Sequence, residues 1–188
     1  MASHMATGVK HWTLEELHSL PDDGNKYELI RGELFVTPPP ADDHETVLAR
    51  LTRLLDRYVE GNGLGQVYRP RAVFRLGGSE VEPDLMVRQE APGIGNAWQN
   101  APHPILIVEV LSPSTRRRDL AQKKAFYVDA RIPEYWVVDP ESKEITVIRP
   151  GEADQRVNDF LTWRPAGARE SFTFRVMEIF PDPAGDTA

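Results

Sequence analysis

With 188 residues, 40% of them hydrophobic and 27% charged, the chain has the balance of a soluble globular protein with one sizeable core. A net charge of −7 disfavours indiscriminate nucleic-acid binding, and the lack of cysteine excludes disulfides and thiolate metal sites. No apolar run approaches the roughly 18 residues of a membrane helix and no secretory signal is visible, so no membrane association and a cytoplasmic location are expected.

Met1 to Met5 reads like a vector remnant. Residues 1–8 and 182–188 are expected to be disordered flanks of a single domain spanning 9–181. Thr13-Leu14-Glu15-Glu16 has capping-box spacing and predicts a short helix ending before Pro21. Tyr27 to Ile30 and Leu34 to Val36, joined through Gly32, read as a tight β-hairpin. Asp42 or Asp43 then opens an amphipathic helix to about Glu60, with Val47, Leu48, Leu51, Leu54, Leu55, Tyr58 and Val59 at helical spacing. Strands are expected at 65–69, 72–76 and 81–87. The Gly, Pro and Asn of residues 90–104 predict an exposed excursion.

Residues 105–111 form a near-continuous apolar run, as in a strand buried on both faces. A helix over 119–131 and a strand over 134–139 follow, which predicts a crossover unit in a mixed sheet. Strands at 144–148, 156–163 and 171–174 and a short helix at 176–180 complete the pattern. The fold class is therefore α/β with a mixed central sheet, an N-terminal hairpin and extra antiparallel C-terminal strands.

Two of these strands hold carboxylates among apolar residues, Glu82 and Asp84 in one and Glu109 in the other. A buried carboxylate is costly unless something pairs with it. One account is a shared divalent cation, for which oxygen ligands and water suit magnesium. The other is a pair of unrelated contacts with the chain's arginines. Residues 82 and 84, two apart in one strand, would share a face. Asp119, Lys123 and Tyr127 lie along one face of the following helix, with Lys124 about 100° away. Arg69, Arg71 and Arg75 form one basic cluster, and Arg116, Arg117, Arg118, Lys123 and Lys124 another.

Tyr27-Glu28-Leu29-Ile30-x-Gly32-Glu33-Leu34, the His44 helix, Glu82-Pro83-Asp84-Leu85, residues 109–115 from Glu109-Val110-Leu111, Asp119-x-x-x-Lys123-x-x-x-Tyr127 and Pro133-Glu134-Tyr135-Trp136-Val137-Val138-Asp139 occur in that order. In this set the chain resembles a large, cyanobacteria-rich family of uncharacterised bacterial proteins described as restriction endonucleases, within the PD-(D/E)XK nuclease superfamily. The resemblance covers about residues 27–180. It implies a restriction-endonuclease-like fold and a Mg2+-dependent endonuclease acting on DNA, with Mn2+ as a possible substitute. Asp84 and Glu109 would be the metal ligands, with the Val110 carbonyl. The superfamily pattern Glu-x-Lys would place lysine at position 111, where Leu111 stands, so the catalytic lysine would come from Lys123, or from Lys124 if the helix is rotated.

His44 would contact phosphate or carry a proton, and Glu82 would support a second ion. Glu28 and Glu33 flank the hairpin turn, where ordinary turn chemistry is the simpler reading, and the resemblance makes both additional site candidates. Arg116 to Arg118 form either a phosphate-binding track or a solvated loop. Tyr127, Tyr135 and Trp136 read as core. A homodimer is expected, because double-strand cleavage needs two sites. The competing reading is an inactive nuclease fold that binds nucleic acid or a protein partner.

Overall fold

The computed structural model describes residues 10–39, 42–89, 101–112 and 119–181. The chain opens on α1 (Leu14–His18), where the Thr13 side chain accepts from the Glu16 N–H at 3.2 Å and the Thr13 N–H donates to the Glu16 carboxylate at 2.9 Å. Two orphan donors of the first turn are thereby satisfied, as the sequence spacing predicts. β1 (Lys26–Ile30) and β2 (Glu33–Thr37) pair antiparallel across Arg31 and Gly32, whose φ angles are 52° and 83°. Successive left-handed residues match the twist of a two-residue hairpin.

α2 (Asp42–Asn62) buries Val47, Leu48, Leu51, Leu55, Tyr58 and Val59, with Leu54 packed at the margin. β3 (Gln66–Tyr68), β4 (Phe74–Leu76), β5 (Ser79–Val81), β6 (Leu85–Arg88) and β7 (Leu106–Val110) follow. A π-helical turn at Asp119–Lys123 runs into α3 (Lys124–Asp129). The remaining strands are β8 (Tyr135–Asp139), β9 (Glu144–Ile148), β10 (Gln155–Val157), β11 (Phe160–Trp163) and β12 (Phe172–Arg175), closed by a 3-10 turn at Val176–Ile179.

A six-stranded sheet runs in the order β10-β9-β8-β7-β6-β3. Its β7–β8 pair is parallel and the other four pairs are antiparallel. Every residue of β7 is buried, which accounts for its unbroken apolar run. One face of this sheet packs in a cluster containing Leu51 and Leu55 of α2, Trp136, and Trp163 and Phe174 of the β11–β12 pair. The cluster on the other side includes Ile107, Val137, Tyr135, and Phe126 and Tyr127 of α3. A second, four-stranded sheet runs β2-β1-β5-β4.

Several expectations are corrected. The single strand expected over 81–87 is broken at Glu82, Pro83 and Asp84, and its halves join different sheets, β5 the smaller and β6 the larger. Proline lacks the N–H a continuing ladder needs, so the break falls where the sequence forbids pairing. Glu82 and Asp84 therefore do not share a strand face. The run expected over 156–163 is two strands separated by a bend at Asn158 and Asp159. The helix expected over 119–131 begins with a π turn, so regular i, i+4 spacing does not hold through Lys123. The short terminal helix is 3-10. Arg116, Arg117 and Arg118, both termini and most of the 90–104 excursion lie outside the described residues.

Candidate active site at the junction of two sheets

The break between β5 and β6 sets the position of Asp84. Leu85 pairs with Val108, so Asp84 enters the large sheet at the register position opposite Glu109. Asp84 Oδ2 accepts from the Val110 backbone N–H at 2.8 Å and lies 3.1 Å from His44 Nε2. Its Oδ1 accepts from Lys26 Nζ at 3.2 Å. Three elements thus meet on one carboxylate: β7, the start of α2 and the start of β1. Burial pushes the Asp84 carboxyl up. The charges of Lys26, His44 and Lys123 and the His44 hydrogen bond outweigh burial and hold it well below the usual carboxylate range.

Glu109 is 1% exposed and Lys123 is fully buried. Lys123 Nζ donates to Glu109 Oε1 at 2.7 Å and lies 2.9 Å from Glu28 Oε1. The Tyr127 hydroxyl donates to the same Glu109 oxygen at 2.7 Å, and the Glu82 N–H donates to Glu28 Oε1 at 2.9 Å. Lys123 therefore bridges two buried carboxylates, one from each sheet. Burial and the charges of Glu109 and Glu28 raise the Tyr127 hydroxyl well above its ordinary pKa, so it remains a donor.

Glu82 is half-buried between these groups. Burial and the charge of Glu28 raise its carboxyl against the opposing pull of Lys26, whose ammonium bonds the Glu82 carbonyl at 3.0 Å. His44 is pulled down by burial and pushed up by Asp84 and Glu45, with a net rise.

The structure brings together Asp84, Glu109, Lys123, His44, Glu28 and Glu82 from the sequence-derived set. Glu28 is central to the network, through Lys123 and the Glu82 N–H, rather than engaged in turn chemistry alone. Glu33 is elsewhere, accepting from Gln122 at 3.1 Å on the surface, and Lys124 pairs with Asp154 at 2.5 Å. Neither belongs to the site. Tyr127 is both core and site, because its ring packs 4.9 Å from Tyr135 while its hydroxyl bonds Glu109. Lys26 escaped the sequence reading altogether. Its position two residues before Glu28 on a strand, hence on the same face, was the available signal.

A hard divalent cation asks for oxygen donors and, for magnesium, retained water. Among the described residues no group of three or more His, Asp or Glu side chains is arranged to hold an ion alone. Asp84, just before β6, and Glu109 opposite it on β7 nonetheless fit an ion that takes two carboxylates and keeps most of its water. Their charge is countered here by Lys26 and Lys123, with His44 beside Asp84.

Within the mixed sheet, Asp84 thus stands at the register position opposite Glu109, and Lys123 is supplied from the crossover segment between β7 and β8. The family model of Uma2, described as a putative restriction endonuclease, matches residues 14–173, and the chain belongs to that family. The crystal structure of a putative nuclease from Anabaena variabilis ATCC 29413 superimposes with a TM-score of 0.74 at 19% identity, covering 90% of this chain and 97% of that one. The restriction-endonuclease-like fold expected from the sequence is thereby borne out. No curated protein matches the chain.

Proposed function

We propose that the protein is a Mg2+-dependent endonuclease hydrolysing DNA phosphodiester bonds, with Mn2+ an effective substitute. The observation that carries this reading is the placement of Asp84, at the entry to β6, opposite Glu109 of β7, with the Lys123 amine 2.7 Å from Glu109 Oε1. Asp84 and Glu109 would hold the ion. When bound, it would supply Lewis acidity toward a phosphate oxygen and a water of lowered pKa.

The chain's own residues do the rest. The Val110 N–H fixes the orientation of Asp84 through Oδ2, and His44 supports it from α2. Tyr127 and Lys123 hold Glu109 from α3 and its preceding turn. Lys123 would set a fixed positive charge beside the Glu109 carboxylate, with no reorganisation needed at the moment of reaction. Glu28 keeps that ammonium in place from the opposite sheet.

A second reading is favoured by one specific feature: Leu111 occupies the place of the pattern lysine, and Lys123 is already bound to two carboxylates. It makes the protein a non-cutting module that binds nucleic acid or protein. Supercoiled plasmid incubated with Mg2+ or Mn2+ separates the two. The parent should nick it, and Asp84→Asn, purified identically, should lose at least about a hundredfold in rate. Equal cleavage by both proteins would remove the site assignment. Nucleic-acid binding without cleavage by either would favour the module.

A further inference from the structure

Four carboxylates (Glu28, Glu82, Asp84 and Glu109) gather around the ammonium groups of Lys26 and Lys123, but the two lysines are held differently. Lys123 is fully buried and bridges Glu28 and Glu109 from within the core. Lys26 reaches the site from the first residue of β1, at the solvent edge, with its side chain 19% exposed. Its Nζ bonds a backbone carbonyl, Glu82 O, at 3.0 Å and Asp84 Oδ1 at 3.2 Å. The other oxygen of Asp84 is occupied by the Val110 N–H and His44. The ammonium of Lys26 therefore sits on the Asp84 oxygen that the backbone does not hold. A partly exposed, flexible four-carbon stem lets it leave, whereas Lys123 is walled in.

We propose that Lys26 is a tethered placeholder cation, which neutralises Asp84 when no divalent ion is bound and yields Oδ1 to the ion when one arrives. This rests on the reading of Asp84 as a metal ligand. A buried carboxylate without its counter-charge is costly, so the device keeps the empty site folded. The same device weakens ion binding, because the ion must displace a positive charge already in place.

The test is calorimetric titration of MnCl2 into the metal-free parent, Lys26→Met and Lys26→Arg, with thermal melts of each in EDTA and in excess MnCl2. Lys26→Met should bind Mn2+ about tenfold more tightly than the parent, the direction expected when a competing charge is removed. It should melt lower in EDTA and gain more from Mn2+ than the parent does. Lys26→Arg, which keeps the charge, should bind no more tightly than the parent. If Lys26→Met does not fold without metal, Lys26→Gln carries the same titration. Equal or weaker Mn2+ binding by the uncharged variants, with binding by the parent intact, overturns the placeholder role and leaves the metal site standing. Absence of Mn2+ binding in the parent and every variant removes the metal site itself and the inference with it.

Discussion

Lys123 is the residue on which two buried carboxylates depend. An ammonium with no solvent exposure is tolerated because Glu28 and Glu109 lie 2.9 and 2.7 Å away. Lys123→Met would leave both carboxylates buried without their cation and should cost about 3–5 kcal/mol in urea denaturation. Adding Glu28→Gln and Glu109→Gln to that variant should recover part of the loss, since neutral amides can share the pocket. If the triple variant instead loses the sum of the single effects, the three residues do not act as a unit. His44 gives a pH-dependent counterpart. Its pKa is raised above 6.5 in the folded state by Asp84, so its stabilisation is present below that value and is lost as pH rises through the raised pKa. The depressed Asp84 carboxyl contributes above 3.8 and fades only as pH falls below it. Thermal melts of the parent and His44→Gln should therefore differ most near about pH 5.5 and converge toward about pH 8.5. A gap that does not change with pH would mean that His44 is not charged beside Asp84.

At the scale of elements, what the sequence revealed depended on how local the signal was. The capping box at Thr13 and the left-handed pair Arg31-Gly32 are set by a few neighbouring residues, and both formed as predicted. α2 was legible from its apolar period alone, and β7 from its continuous burial. Pro83 signalled a defect in a strand, but nothing local says that β5 and β6 should enter different sheets. That division is a tertiary event, and it creates the site by bringing Glu28 of one sheet toward Glu109 of the other. Asp84, Glu109 and Lys123 were singled out because they stand in motifs that carry the family resemblance. Lys26 was not, because its partners Glu82 and Asp84 lie more than fifty residues along the chain. The choice of Lys123 over Lys124 likewise depends on the π turn, which helical periodicity does not encode. Tyr127 tests the join between α3 and β7: Tyr127→Phe keeps the ring against Tyr135 but removes the donor to Glu109. Denaturation should show a loss of about 1–3 kcal/mol, as for a buried acceptor deprived of a partner. A neutral result would show that the hydroxyl contributes nothing to holding Glu109.

At the scale of the whole molecule, on the proposed function a chain of net charge −7 would have to approach a polyanion. The arginines of the 69–75 segment, which the sequence presents as a basic cluster, are each paired: Arg69 with Asp56 at 3.1 Å, Arg71 with Asp22 at 3.1 Å, and Arg75 with Glu80. Glu80 is buried and also meets His18, so the Arg75 pair belongs to the fold. Asp22 is exposed and Asp56 partly exposed, and ion pairs of that kind contribute little to stability. Their effect falls instead on the surface field, by cancelling two guanidinium groups that would otherwise attract phosphate. Asp22→Asn combined with Asp56→Asn should leave the melting temperature nearly unchanged while strengthening binding to a DNA duplex at low salt. If both freed arginines then contact phosphates, the slope of log affinity against log salt should steepen by about 2, since each neutralised phosphate contributes about 0.9. Fluorescence anisotropy across a salt series reads both quantities. An unchanged slope would place the DNA path away from this face, and the net acidity would then have to be overcome by basic residues elsewhere on the chain.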